Sequence, residues 1–88
     1  MIHHIDLGQS SFERSRNLRL LIAKKQINFA GNCKLRIYGT LQCSSGKRMK
    51  VNNRVFFTDK EEAEKSGYRP CGHCMRKAYL LWQVKLNG

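Results

Sequence analysis

No run of about 18 apolar residues occurs anywhere in this 88-residue chain, so nothing in it is suited to span a membrane. The segment Met1-Ile2-His3-His4-Ile5-Asp6 lacks the apolar centre of a signal peptide, and a cytoplasmic protein is expected. Internal repeats, low-complexity stretches and linkers are missing too. With 88 residues there is no room for a second core, so one domain over residues 1–88 is expected. Acids are scarce: six Asp and Glu stand against 17 Lys and Arg, for a net charge of +11. Four of the six are Asp59, Glu61, Glu62 and Glu64. Outside residues 59–64, 16 Lys and Arg face only Asp6 and Glu13. A polyanion is the natural partner, DNA ahead of RNA and both ahead of a membrane surface. Nothing in the sequence speaks to the oligomeric state, and a monomer is assumed.

The apolar fraction, 41%, is ordinary for a globular chain and too high for disorder. A core this small is marginal by itself, so a metal or another staple is expected. In a reducing compartment, four cysteines read as metal ligands before they read as two disulfides.

Ser10 and Ser11 suit a helix N-cap, and Glu13 places negative charge in the first turn. Leu18, Leu21 and Ile22 then form a stripe, with Arg14, Arg16 and Arg19 largely off it, which predicts a helix from Phe12 to about Lys25. Residues 26–32 read as a connector with a short strand near Ile27 to Phe29. Lys34-Leu35-Arg36-Ile37-Tyr38 alternates charged and apolar side chains as a half-buried strand does, Gly39 breaks or bends it, and an extended run leads into Cys43. Residues 44–50 are a basic loop. Arg54-Val55-Phe56-Phe57 predicts a second strand antiparallel to the first, and Thr58 with Glu61 forms a capping box for a helix from Asp59 to about Lys65. Gly67 sits where a left-handed C-cap residue is wanted. Pro70 suits the first position of a last helix, with Met75, Ala78, Tyr79 and Trp82 as its apolar face to about Leu86.

Cys71 and Cys74, three positions apart, converge on one point, and zinc is the expected metal. Cys43, at a strand end in a polar turn, is the best third ligand. Structural zinc wants four ligands, and the fourth is open. Cys33 is separated from Cys43 by a predicted strand whose six or more extended residues span on the order of 20 Å. His4 has a slight edge over His3, His73 or a water, because an N-terminal segment can fold over the site. A thioredoxin-like role for the Cys-x-x-Cys pair lacks the βαβ setting it needs.

Asn53-Arg54-Val55-Phe56-Phe57, then Glu62-Ala63-Glu64, then Gly67-Tyr68-Arg69-Pro70-Cys71-Gly72-His73-Cys74 resembles the Ada-type metal-binding domain, the zinc module of a bacterial protein that repairs methylated DNA. The similarity covers roughly residues 35–80. In that family four cysteines, as Cys-x₃-Cys and a later Cys-x-x-Cys, hold one zinc, and the first accepts a methyl group from a DNA phosphotriester. The resemblance places Cys71 and Cys74 in the later pair and Cys43 nearest the methyl-accepting position. Four residues beyond Cys43 stands Lys47, not a cysteine.

These readings give an α+β, zinc-stapled domain with an N-terminal helix, a small antiparallel sheet and a C-terminal helix that starts at the Cys-x-x-Cys. Residues 1–32 form the helix and connector, and residues 33–88 the metal-binding module. The favoured function is non-specific DNA binding through phosphate contacts from Lys47, Arg48, Lys50 and Arg69. One alternative is a stoichiometric, suicide-type methyl acceptor at Cys43, which the missing family cysteine argues against. Another is a structural zinc module for protein interaction.

Overall fold

Short polar side chains fix where the helices begin. The Ser10 hydroxyl accepts a hydrogen bond from the Glu13 amide at 3.1 Å, and helix α1 follows over Ser11–Ala23. It ends two residues short of Lys25, which adopts a φ of +59° and turns the chain. The Gln26 amide donates to the Leu21 carbonyl at 2.9 Å and the Lys25 amide to Ile22 at 3.0 Å, the two bonds of a Schellman end. Helix α2, Lys60–Lys65, ends the same way at Gly67, whose φ of +88° is the left-handed conformation expected there. Its start is displaced by one residue from the Thr58–Glu61 expectation. The Asp59 carboxylate accepts from the Glu62 amide at 2.7 Å, and the Glu62 carboxylate accepts from the Thr58 amide at 2.7 Å. A charged acceptor outcompetes the neighbouring hydroxyl for the cap.

The computed structural model describes residues 1–43 and 49–87 of the chain. It contains five strands: β1 Ile2–His3, β2 Phe29–Asn32, β3 Ile37–Thr40, β4 Arg54–Phe57 and β5 Arg69–Pro70. Their order is β1-β4-β2-β3-β5. β4 lies where the sequence puts it, but its partners are β1 and β2, both antiparallel to it, and not the strand leading to Cys43. Residues 1–32 therefore contribute two strands besides the helix.

The alternating segment that begins at Lys34 is mostly a turn. The Asn32 side-chain oxygen accepts from the amides of Lys34 at 2.9 Å and Leu35 at 3.2 Å, and Arg36 takes a φ of +58°. An Asx-type turn satisfies this backbone locally, so the alternation has no ladder to serve. β3 starts only at Ile37, and Gly39 sits inside it, opposite Ala30.

β5 pairs with β3 in parallel, Ile37 opposite Arg69 and Tyr38 opposite Pro70, which makes the sheet mixed rather than antiparallel. Pro70 is thus a strand residue, tolerated because β5 lies at the sheet edge. The Cys71 amide donates to the Tyr38 carbonyl at 2.7 Å, which holds the chain extended where a helix was expected to begin. Residues 72–74 turn, and helix α3 spans Arg76–Asn87, so the Cys-x-x-Cys precedes the helix instead of opening it.

β4 alternates between two cores. Val55 and Phe57, both 0% exposed, pack with Tyr38, Tyr68, Ala63 of α2, and Met75 ahead of α3. Phe56, on the opposite face, packs with Ile27 and Ala30 against Leu18 and Leu21 of α1. The sheet is therefore covered on both faces, although Ile22 of the expected stripe is exposed. Among the described residues no helix is long and apolar enough to cross a membrane. Phe57→Ala, which empties the centre of the larger cluster, is expected to cost about 3–5 kcal/mol. A drop in the urea unfolding midpoint of the zinc-loaded protein, with the slope unchanged, checks it.

Candidate metal centre

The parallel pairing of β5 with β3 decides which cysteines meet. β3 delivers Cys43 three residues past its end, with the Cys43 amide bonded to the Thr40 carbonyl at 3.2 Å. β5 delivers Cys71, and the following turn, closed by the Met75 amide on the Cys71 carbonyl at 3.0 Å, brings Cys74 back. The sulfur atoms of Cys43, Cys71 and Cys74 all lie within 4.8 Å of one another. Tetrahedral zinc with Zn–S near 2.3 Å sets sulfurs about 3.8 Å apart, so a small inward movement suffices. The His73 amide donates to the Cys71 sulfur at 3.4 Å.

Gly39 makes room for this cluster. A Cβ on Gly39 would stand 2.6 Å from the Cys74 sulfur and 3.2 Å from the Cys71 Cβ. The sequence reading missed this role; a glycine inside a strand signals close approach as well as a bend. Burial pushes the Cys74 thiol up, with the neighbouring Cys43 and Cys71 thiols adding to it and a backbone donor at Thr40 opposing it. Cys43 is buried, at 7% exposure, and beside it lies a cavity of about 270 Å³ lined by Ala30, Ile37, Met49 and Cys71 among others.

Three soft donors converging on one point beside a glycine cradle suit zinc, and Cys43, Cys71 and Cys74 can hold it together. Among the described residues no further His, Cys, Asp or Glu joins the three. Cys33 lies at the β2–β3 turn, its amide on the Asn53 carbonyl at 2.9 Å and its sulfur 3.9 Å from the Asn52 carbonyl. His4 packs edge-on against Phe56 at 5.3 Å, and burial, then the Arg54 and Arg14 charges, hold its pKa below the usual value. His73 is exposed, and His3 pairs with Val55 in the sheet.

The basic candidates divide. Lys50 is exposed, and Lys47 and Arg48 lie outside the described residues. Arg69 is half-buried, its guanidinium over the rings of Tyr79 at 5.2 Å and Trp82 at 5.6 Å, donating to the Pro70 carbonyl at 3.1 Å.

A family model described as the metal binding domain of Ada, a zinc-binding domain, matches residues 23–76. No curated protein and no solved structure matches the chain.

Gly39→Ala is expected to lower zinc affinity by tenfold or more, roughly 1.4 kcal/mol, although it removes no ligand. Chelator competition measures it. Because burial raises the Cys74 thiol, protons compete with metal there, so apparent zinc affinity should rise with pH across neutrality with release of protons. The same competition repeated over a pH series reads that slope.

Proposed function

Because the chain belongs to the family of Ada metal-binding domains and binds zinc, we propose that Cys43, Cys71 and Cys74 hold the metal in a module that binds DNA through its phosphate backbone. The observation that carries this reading is unneutralised charge. The chain has a net charge of +11, no charged side chain among the described residues is buried, and the one ion pair among them joins the Met1 amino group to Glu62. Among the described residues the Lys and Arg side chains thus have no acidic partner, as contacts to phosphate require. Lys47, Arg48, Lys50 and Arg69 are the residues we assign to those contacts.

Contacts of this kind carry little sequence information and release counterions. Four phosphate contacts predict a slope of log affinity against log salt of about −3 to −4, and Lys50→Ala should reduce its magnitude by about one. Fluorescence anisotropy of labelled duplexes of unrelated sequence tests this. Salt-independent binding, or no binding, removes the proposal.

A second reading, stoichiometric methyl transfer to Cys43, is favoured by the placement of Cys43 in the thiol cluster beside the apolar cavity. Zinc keeps a bound thiol deprotonated and nucleophilic at neutral pH. The methylphosphotriester loses its methyl to sulfur, a C–S bond replaces the C–O bond, and the phosphate leaves as an anionic diester. Three thiolates with a neutral fourth ligand carry about one negative charge less than four, which lowers the nucleophilicity. Intact-mass measurement after incubation with methylated DNA separates the readings. A gain of one methylene mapped to Cys43 establishes transfer; unchanged mass with salt-sensitive binding leaves the module a binder. Cys43→Ser should lose zinc under either reading and cannot choose between them.

A further inference from the structure

Beside β5 the structure holds a second concavity. A cavity of about 430 Å³ is lined by Arg36, Glu64, Tyr68, Arg69 and Trp82, with Leu35 at its rim. Both arginines are held on aromatic faces: Arg36 lies 5.7 Å from the Tyr68 ring centre, and Arg69 lies over Tyr79 and Trp82, rings that stack at 5.8 Å with 22° between their planes. Backbone pairing fixes their separation, since the Arg69 amide donates to the Arg36 carbonyl at 2.8 Å. Each guanidinium spends a donor on a carbonyl, Arg36 on Ser66 at 3.3 Å and Arg69 on Pro70 at 3.1 Å. Five donors per guanidinium leave a surplus for an anion. Glu64 shares the cavity without forming an ion pair to either arginine among the described residues, so its carboxylate offsets part of the charge and stays available as an acceptor.

Arg36 adds a backbone argument. It holds a left-handed φ of +58°, which costs a non-glycine residue strain. The side chain it presents lines the cavity.

We infer that this cavity takes one unpaired nucleotide of a DNA strand, its base on the Arg69 guanidinium, which itself lies over Trp82 and Tyr79, and its phosphate on Arg36. Aromatic and guanidinium planes are the surfaces on which unstacked bases settle, and any base has a π-face to offer. The volume lies in the range of small-ligand sites. A base amino group is the donor that the Glu64 carboxylate can accept. The inference rests on the DNA-binding reading and sharpens it: the module grips backbone generally but prefers DNA whose bases are unpaired.

Trp82 is the chain's one tryptophan, so its fluorescence reports on the cavity directly. The zinc-loaded chain is titrated with a short single-stranded oligodeoxynucleotide, the same sequence as duplex, a free deoxynucleotide monophosphate and inorganic phosphate. The strand should quench Trp82 saturably and bind about tenfold tighter than the duplex, the worth of one stacked base. Arg36→Gly removes the guanidinium at a φ that glycine adopts without strain. It should weaken strand binding about five- to tenfold, the worth of a charge-assisted contact, and affect duplex far less, with zinc content unchanged. Strand and duplex binding alike, or an unaffected Arg36→Gly variant, overturns the inference. Quenching by the free nucleotide but not by the strand overturns its assignment to DNA. If labelled duplex still binds salt-sensitively while Trp82 is silent to the strand, the cavity assignment falls and the phosphate-binding reading stands; if nothing binds, both fall.

Discussion

Two backbone hydrogen bonds organise the functional half of this molecule: Arg69 N–H to the Arg36 carbonyl at 2.8 Å and Cys71 N–H to the Tyr38 carbonyl at 2.7 Å. They seat β5, only two residues long, in parallel beside β3. Without them the Cys-x-x-Cys turn has no fixed relation to Cys43, Gly39 has no sulfur to accommodate, and Arg69 has no fixed distance from Arg36. A two-residue edge strand cannot sustain itself on so few bonds, since isolated strand pairs are marginal even as full hairpins. It persists because Tyr68, just before it, is buried in the core against Phe57 at 4.9 Å, and a zinc held by Cys43, Cys71 and Cys74 would tie its far end to the turn after β3.

The metal thus belongs to the energetics of the fold. Small zinc domains gain about 10–16 kcal/mol from the metal, comparable with the whole stability of an ordinary domain at about 5–15 kcal/mol. Here the protein core is split between two faces of one sheet, and each face buries only a handful of large side chains. The thiol cluster lies at the β3–β5 edge. Zinc held by these three thiols would close the chain between Cys43 and Cys71, which contains β4 and α2, into a loop with fixed ends.

What was legible in the sequence was local or covalent. The Ser10 cap and the left-handed Gly67 act through neighbours within a few residues and appear as read, and the run Val55-Phe56-Phe57 forms the strand its composition indicates, although its partners are not those expected. The grouping of Cys43 with Cys71 and Cys74 was legible because metal chemistry restricts the donors and spacing supplied the pair. One error is local, a side-chain turn competing with an alternating pattern, and the others come from longer-range pairing. Lys34 to Arg36 alternate as a strand does, but Asn32 satisfies that backbone in a turn. Pro70 and the residues after it suit a helix start, yet pairing with β3 outweighs that preference until Arg76. A parallel pairing between segments some thirty residues apart leaves no periodic mark on either. Gly39 was read as a bend because its real constraint, the Cys74 sulfur, comes from that same unseen pairing.

The short strand also explains why one basic residue cannot be treated like the rest. Along β5 the side chains alternate, so Pro70 enters the core while Arg69 and Cys71 flank it. Arg69 is carried to the aromatic cavity and Cys71 to the thiol cluster by a single two-residue step. Any change in the metal cluster that lets Cys71 withdraw from the Tyr38 carbonyl acts on the bond between Arg69 and Arg36 one pair away. The cavity and the metal centre are then not two independent sites on a scaffold. They share one mechanical element: the strand that sets the Arg69 guanidinium beside Arg36 also delivers Cys71 to the thiol cluster, so the proposed phosphate contact and the proposed zinc site depend on the same two residues.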